Sequence, residues 1–292
     1  MQEFFVKNFP KQTLFNEPMK NHTSFKIGGP ADILFLPEKN SDVEIAVNFC
    51  KDNNIRFFVM GNGTNLLVSD DGFRGVIIKI SKNMAFAKVN GNEIEASSGI
   101  LLSRLSKIAL ENNLSNLEFA SGIPGTLGGA ICMNAGAYGG EIKDVFVSAE
   151  IFHDGQIKTF TDLNFSYRKS LIDENYIVLS AKIKLTNKNH DEILKKMTEY
   201  ADKRRSTQPL EFPNAGSIFK RVQNNSAGKL IMDANLAGYT IGGACVSKKH
   251  CGFIINLGNA KAQDVLDLID YVKKVVQDKF DVSLETEIKL LN

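Results

Sequence analysis

Apolar and polar positions along the chain follow two periods, which together predict a protein built from both helices and strands. Four stretches space their apolar residues three and four positions apart, as on one face of a helix. These helices are predicted after Ser41, at Leu101, after Asn189 and at Val265. Ser41-Asp42-Val43-Glu44 has the spacing of a capping box, so the first helix should begin there. Its predicted buried face comprises Ile45, Ala46, Phe49 and Cys50.

Short apolar or alternating runs between these helices predict strands. The predicted strands are 56–60, 75–80, 92–97, 145–152, 156–160, 176–185, 252–257 and 283–291. His153-Asp154-Gly155 separates two of them, and Asp-Gly supplies the positive φ of a tight hairpin turn. Because hairpins are mixed with alternating strands and helices, the pattern predicts the α+β class rather than a doubly wound parallel sheet.

Two glycine-rich segments are the strongest candidates for chemistry. Gly61-Asn62-Gly63-Thr64-Asn65-Leu66 directly follows a predicted strand, and successive amides in such a loop can hold a diphosphate. It is neither a Walker A loop nor G-x-G-x-x-G, because no Gly-Lys-Ser/Thr follows and Leu66 stands at the third glycine. On spacing alone, the pattern favours a tight turn without a ligand over a diphosphate site. In the second segment, 121–140, Gly and Ala fill half of the positions, which leaves space for a closely packed backbone or for a flat ligand.

Composition narrows the class of protein. The chain has 292 residues, of which 43% are hydrophobic and 23% charged, as in globular proteins, and no apolar run is long enough for a membrane helix. The net charge of +2 argues against nucleic acid or an anionic membrane as partner. The N-terminus shows no signal-peptide pattern. The four cysteines show neither C-x-x-C nor zinc spacing, so we expect free thiols in a reducing cytoplasm and no metal.

Several motifs together resemble a known family. Asn62 to Val68 and Gly122 to Gly129 resemble the FAD-binding domain of the proteins that include p-cresol methylhydroxylase and vanillyl-alcohol oxidase. Within that group the chain is similar to the UDP-N-acetylenolpyruvoylglucosamine reductases of bacterial peptidoglycan synthesis, over residues 21–291. The further matching segments are 165–170, 214–220, 243–256 and 284–288.

The resemblance implies a two-part FAD-binding domain followed by a C-terminal α+β substrate-binding domain. The implied boundaries are 1–80 for the first FAD subdomain, to which 283–291 returns, 81–190 for the second, and 205–282 for the substrate domain. It also implies non-covalent FAD, which NADPH reduces, and a small-molecule substrate, the enolpyruvyl ether of UDP-N-acetylglucosamine. The length matches the shorter subtype, without an inserted tyrosine loop, and we expect a monomer.

Three catalytic residues are carried over from the family's motifs. Ser217 matches the serine that delivers a proton to a carbanion-like carbon, which is a strong enough base to take it. Arg168 matches the arginine that holds the substrate carboxylate. Glu287 matches a glutamate that acts with Arg168 on the enolate or serves as a general acid or base. Glu285 alternates with Glu287 on the predicted strand, and the family motif selects Glu287 because it immediately precedes Ile288-Lys289.

The resemblance also implies binding residues. Those expected at FAD are Gly61, Asn62, Gly63, Thr64, Asn65, Leu66, Gly122, Ile123, Pro124, Gly125, Thr126, Gly128, Gly129 and Ala130. Those expected at the substrate are Tyr167, Lys220, Arg221 and His250. For His250, a buried histidine with satisfied hydrogen bonds is an equal alternative. Where many members continue with proline, this chain has Val222-Gln223-Asn224-Asn225, which predicts a less rigid loop.

Two other functions compete with the reductase. One is an oxidase of a small alcohol or sugar with the same flavin fold, which would react rapidly with oxygen and would not use Ser217. The other is a protein that binds nucleotide sugars without catalysis and holds little flavin. Both glycine-rich segments, together with Arg168, Ser217 and Glu287, favour the reductase.

Overall fold

A computed structural model describes residues 1–222 and 226–292, so the predicted loop after Val222 lies largely outside the described residues. The α-helices of the described part are α1 Gln2–Asn8, α2 Asn40–Asp52, α3 Leu102–Glu111, α4 Leu127–Cys132, α5 His190–Thr207, α6 Ala227–Asp233 and α7 Ala262–Phe280. The first ten strands are β1 Thr13–Pro18, β2 Pro30–Phe35, β3 Phe57–Met60, β4 Leu66–Val68, β5 Phe73–Lys79, β6 Ala87–Asn90, β7 Glu93–Ser97, β8 Leu114–Ser115, β9 Gly136–Ala137 and β10 Gly140–Glu141. The others are β11 Phe146–His153, β12 Gln156–Phe160, β13 Ile177–Lys184, β14 Thr186–Asn187, β15 Asn214–Ser217, β16 Thr240–Ile241, β17 Ala244–Val246, β18 Phe253–Asn256 and β19 Lys289–Leu291. The predicted α+β class is confirmed.

The chain folds as two compact units. Unit 1 comprises Met1–Phe15, Ile33–Asn62 and Gly75–Arg204. Unit 2 comprises Asn16–Asp32, Gly63–Arg74 and Arg205–Asn292. The division into domains at 1–80, 81–190 and 205–282 stays a prediction. Among the described residues, no helix has the length and apolarity needed to cross a membrane.

A five-stranded antiparallel sheet forms the centre of unit 1, in the order β12-β11-β13-β7-β6. β11 and β12 form the predicted hairpin, with φ of +49° at Asp154 and +72° at Gly155. Both turn residues are thus left-handed, as a tight hairpin of this kind requires. α4 packs against β7 and β13. The core beneath α3 and α4 includes Ile94, Ala96, Leu102, Leu105, Leu127, Ile131, Ala181 and Ile183.

α2 begins differently from the prediction. It starts at Asn40, and the Asp42 carboxylate accepts hydrogen bonds from the backbone N–H groups of Glu38 (3.1 Å) and Lys39 (3.3 Å). The predicted Ser41–Glu44 capping box is therefore wrong, because the acidic side chain one residue after Ser41 satisfies the amides that precede the helix. The buried face is Val43, Ala46, Val47 and Cys50, whereas Ile45 is 47% exposed.

Unit 2 is built on an antiparallel sheet in the order β15-β18-β17-β16, against which α7 packs. The predicted helix at Val265 is confirmed. Its apolar face lies in the core of this unit and consists of Val265, Leu268, Ile269, Val272 and Val276.

The C-terminal segment is a strand over a shorter length than predicted. β19 covers only Lys289–Leu291 and pairs in parallel with β4, placing Lys289 opposite Leu66. The residues before it take another partner: Glu285 O accepts from Lys220 N, and Glu287 N donates to Ile218 O, each at 2.8 Å. One segment therefore bonds in turn to two different stretches of unit 2, which a sequence pattern of alternation cannot distinguish from one continuous strand.

Candidate functional site

The first glycine-rich segment leaves β3 at Gly61 and enters β4 at Leu66. A Cβ atom at Gly61 would lie 2.2 Å from Thr126 Oγ1 in the second segment. Asn62 Nδ2 donates a hydrogen bond to Pro124 O at 2.9 Å. Within unit 1 the start of the first segment thus touches the second, and close packing alone explains the glycine at 61.

Three successive backbone N–H groups of the first segment, those of Asn62, Gly63 and Thr64, donate to no acceptor among residues 1–222 and 226–292. Gly63 has a φ of +65°, a left-handed conformation that glycine adopts without strain. Consecutive N–H groups of this kind are the donors that phosphate oxygens take. This donor set fits the diphosphate of FAD.

The last two residues of the first segment, Asn65 and Leu66, bond to the C-terminal segment of the chain. Asn65 Nδ2 donates to Glu287 O at 3.1 Å, and Asn65 O accepts from Lys289 N at 3.0 Å. Leu66 pairs with Lys289 in the β4–β19 ladder. Within unit 2, these two predicted FAD residues therefore position the C-terminal segment that carries Glu287.

In the second segment, Thr126 caps α4, with Oγ1 accepting from Gly129 N at 3.5 Å. A Cβ at Gly128 would lie 2.8 Å from Ser98 Cβ, so packing explains that glycine. Gly129 is different, because it is exposed and a Cβ there would meet only Thr126 Oγ1, at 3.7 Å. Packing gives no reason for a glycine at 129, and the bare backbone there fits a flat ligand such as the flavin.

The other predicted residues of this segment have mainly structural contacts. Ile123 N donates to Ala120 O, Gly125 O accepts from Leu102 N, and Ala130 lies in the core of unit 1. Gly122 contacts a residue outside the set predicted for FAD. Arg204 of α5 donates a hydrogen bond to Gly122 O, and a Cβ at Gly122 would lie 3.2 Å from Arg204 Cδ. Burial lowers the pKa of Arg204.

Arg168 lies in a tight turn of unit 1. Ser166 N donates to Lys169 O (2.9 Å) and Lys169 N to Ser166 O (3.2 Å). Arg168 itself has a φ of +55°, an uncommon conformation for a residue with a side chain. Its Nη2 donates to Gly136 O at 2.9 Å, and its Cζ lies 5.1 Å from the centre of the Tyr167 ring. The predicted pair Tyr167 and Arg168 is thus stacked, with the guanidinium fastened to the backbone of the second glycine-rich segment.

Two residues near Arg168 escaped the sequence prediction. Asn134 and Glu141 belong to the second glycine-rich segment or directly follow it, and Asn134 Nδ2 donates to Glu141 Oε2 at 3.0 Å. Burial acts to raise the pKa of Glu141. The hydrogen bonds from Lys143 and Asn134 and the charges of Lys143 and Arg168 outweigh it, so the pKa lies below its usual range. Glu141 therefore remains ionised close to Arg168.

In unit 2 the structure brings Ser217 and Glu287 onto neighbouring backbone. Ser217 ends β15 after Gly216, which has a φ of +79° and donates its N–H to Asn214 Oδ1 at 3.0 Å. Glu287 N donates to the carbonyl of Ile218, the residue after Ser217. Both Ser217 and Glu287 are half-buried.

The remaining predicted substrate residues also belong to unit 2. The Lys220 ammonium forms an ion pair with the Glu285 carboxylate, so Glu285 has a partner of its own. Arg221 is exposed. His250 Nδ1 accepts from Gly252 N at 3.2 Å, and burial lowers the pKa of this half-buried ring. The hydrogen bond from Gly252 uses Nδ1 in the neutral form, which leaves Nε2–H as the donor for any ligand.

Two parts of the chain each match the model of a known protein family. Residues 31–161 match the model of an FAD-binding domain, which confirms the predicted FAD-binding domain. Residues 208–291 match the model described as the C-terminal domain of UDP-N-acetylenolpyruvoylglucosamine reductase.

Individual relatives match almost the whole chain. The UDP-N-acetylenolpyruvoylglucosamine reductase of Caldanaerobacter subterraneus subsp. tengcongensis is 52% identical over 280 residues, covering 94% of this chain and 92% of the relative. That of Clostridium tetani is 49% identical, covering 94% and 91%. The crystal structure of UDP-N-acetylenolpyruvylglucosamine reductase from Thermus caldophilus superposes with a TM-score of 0.83 at 34% identity, covering 96% of this chain and 98% of that one.

Proposed function

This chain belongs to the UDP-N-acetylenolpyruvoylglucosamine reductase family, and on that premise we propose that it reduces the enolpyruvyl ether of UDP-N-acetylglucosamine to UDP-N-acetylmuramate in peptidoglycan synthesis. The observation that carries the proposal is identity of about one half over nearly the full length of both chains. When bound, FAD supplies the hydride chemistry between NADPH and the terminal enol carbon of the substrate. The side chains supply binding, orientation and one proton.

Ser217 is the proposed proton donor to the carbon next to the one that receives the hydride. A hydroxyl is a weak acid, but a carbanion-like centre is a base strong enough to take its proton. The left-handed Gly216 and its hydrogen bond to Asn214 fix the backbone immediately before Ser217. This rigidity supports the role, since a proton donor must be held at one position.

Arg168 is proposed to hold the substrate carboxylate, and Glu287 to act with it as negative charge develops on the enolate. A planar guanidinium that is always charged binds a carboxylate in a fixed orientation, which lysine does not. The short pairing of residues 285–287 with 218–220 supports the role of Glu287, because it fixes this glutamate beside the backbone of Ser217. Tyr167, Lys220, Arg221 and His250 are proposed as further substrate contacts.

The two glycine-rich segments are the proposed FAD site. The unpaired N–H groups of residues 62–64 would receive the diphosphate, and the bare backbone at Gly129 would face the flavin.

We place the protein in the cytoplasm as a monomer. The four cysteines are free thiols in the structure, which supports a reducing compartment. Light scattering of the purified protein tests the monomer.

The first experiment follows the visible spectrum of the purified protein without oxygen. The flavin band should bleach when NADPH is added and return only when the enolpyruvyl UDP-sugar follows. A colourless protein that binds no added FAD would exclude this function and favour a protein that only binds nucleotide sugars. Rapid return of the band with oxygen alone would favour an oxidase.

Replacing Ser217 by Ala then tests the proton donor. The NADPH half-reaction should stay at the wild-type rate, because the hydroxyl acts only after the flavin has been reduced, while reoxidation by the enolpyruvyl substrate should collapse. Ser283→Ala, at an exposed serine of the same unit, is the matched control and should leave both half-reactions unchanged. Unchanged turnover in Ser217→Ala would refute the assignment, and equal loss in both half-reactions would indicate a folding defect.

A further inference from the structure

Asn134 is a fully buried amide at the centre of a polar network in unit 1. Its side chain has no solvent-exposed surface, and its φ is +41°. Nδ2 donates to Glu141 Oε2 and to Ser166 O, both at 3.0 Å, while Oδ1 accepts from Lys143 N at 3.0 Å. The carboxamide thus bridges the end of the second glycine-rich segment to the turn that carries Arg168.

This turn depends on outside support. Within it Ser166 and Lys169 form reciprocal backbone hydrogen bonds, and Arg168 between them has the left-handed φ of +55°. Such a conformation is costly for a residue with a side chain and persists where neighbouring groups impose it. Asn134 holds one end of the turn through Ser166 O. Gly136, two residues after Asn134, holds the Arg168 guanidinium through its carbonyl.

The bridge is strong because one of its acceptors is charged. Glu141 stays ionised under the influence of Lys143 and Arg168, and a hydrogen bond to a carboxylate is stronger than one to a neutral acceptor. This bond fixes the orientation of the carboxamide, so that its second N–H points at Ser166 O. A side chain that only filled space would need no such orientation.

We infer that Asn134 is the positioning residue of Arg168 and thereby sets the affinity of the protein for the carboxylate of its substrate. The inference rests on the proposed function, in which Arg168 binds that carboxylate. Asn134 itself acts only through the turn at residues 166–169.

A pair of ligands tests it on the FAD-loaded, oxidised protein. The enolpyruvyl UDP-sugar carries the carboxylate, and UDP-N-acetylglucosamine is the same nucleotide sugar without it. Asn134→Ala should weaken binding of the first by about tenfold and leave the second within about twofold, since only the carboxylate contact depends on Arg168. Arg168→Ala should show the same selectivity. The double variant should bind no more weakly than Arg168→Ala alone, because a positioning residue has no effect once its target is removed.

The controls separate position from folding. Asn113→Ala changes an exposed asparagine with a similar φ of +58° and should leave both affinities unchanged. Asn134→Gly also removes the carboxamide, and glycine adopts the φ of +41° without strain. It should show the same selective loss, and it serves if Asn134→Ala does not fold.

Three outcomes would overturn the inference: equal weakening of both ligands, no weakening of either, or additive losses in the double variant. If Arg168→Ala itself fails to distinguish the two ligands, the proposed role of Arg168 fails, and the inference fails with it. If Arg168→Ala is selective and neither Asn134 variant is, only the inference is wrong.

Discussion

Replacing Gly129 by Ala should raise the stability of the FAD-free protein and lower its affinity for FAD. Gly129 lies inside α4, and the added Cβ would have only Thr126 Oγ1 within 4 Å, at 3.7 Å, an ordinary contact distance. Alanine is favoured over glycine inside a helix by about 0.5–1 kcal/mol. We therefore expect the FAD-free variant to melt about 2 °C above the wild type.

The same substitution should lower the affinity of the protein for FAD. If the flavin lies against the bare backbone at Gly129, the new methyl group occupies part of its space. A tenfold loss of affinity corresponds to about 1.4 kcal/mol. At FAD concentrations about 100 times the wild-type Kd, binding stabilises the wild type by about 2.7 kcal/mol and the weakened variant by about 1.4 kcal/mol. The increase in melting temperature on adding FAD should therefore be about half as large in the variant.

The assay is a thermal melt of both proteins, stripped of FAD and then titrated with it, alongside quenching of FAD fluorescence for the Kd. Gly61→Ala is the informative contrast, because its Cβ would overlap buried Thr126 Oγ1 at 2.2 Å. That variant should be less stable than the wild type even without FAD, by about 1–3 kcal/mol. Wild-type FAD affinity in Gly129→Ala would refute the placement of the flavin along this segment.

Two further predictions concern stability. Ser98 is 2% exposed, and in the described part of the chain its hydroxyl is the buried side-chain oxygen without a hydrogen-bond partner. Ser98→Ala should therefore raise the free energy of unfolding, measured in urea, by about 1 kcal/mol. A lower free energy of unfolding would show that the hydroxyl has a partner such as a bound water. Burial lowers the pKa of His250 in the folded state, so the unfolded chain binds that proton more readily. The contribution of neutral His250 to the free energy of unfolding is therefore complete above about pH 6.5 and is lost as the pH falls. Between about pH 7.5 and 5.5 the free energy of unfolding should fall further in the wild type than in His250→Gln. Equal decreases in the two proteins would contradict this.

Local periodicity predicted the elements that bury one continuous face. α3, α7 and the β11–β12 hairpin lie where the apolar spacing and the Asp-Gly turn place them. The predicted start of α2 was wrong because two acidic residues, Asp42 and Glu44, lie near the expected N-cap. Only the folded structure shows that Asp42 accepts the hydrogen bonds of the backbone N–H groups before the helix. The strand at 283–291 was too long because alternation does not reveal that its two halves bond to different segments.

The family motifs selected Arg168, Ser217 and Glu287, and their catalytic roles remain predictions. Asn134 and Glu141 could not be selected with them, and the contact of Arg204 with Gly122 could not be predicted. Asn134 was visible only as one polar position among glycines and alanines, and nothing in the chain's order indicates that its amide reaches Ser166, 32 residues away. Arg204 stands in the basic run 203–205, which also suits a helix end, and it meets Gly122 only through the fold.

By itself the sequence determined the class, the main elements, the glycine-rich segments and the family, because these depend on residue types at short spacing. The tertiary structure alone decided which glycines serve packing, as at 61 and 128, and which leaves backbone bare, as at 129. It also decided that Asn65 fastens the segment of Glu287 and that Asn134 fastens the turn of Arg168. A hydrogen bond between distant residues depends on distance and direction in space, and these exist only once the chain has folded.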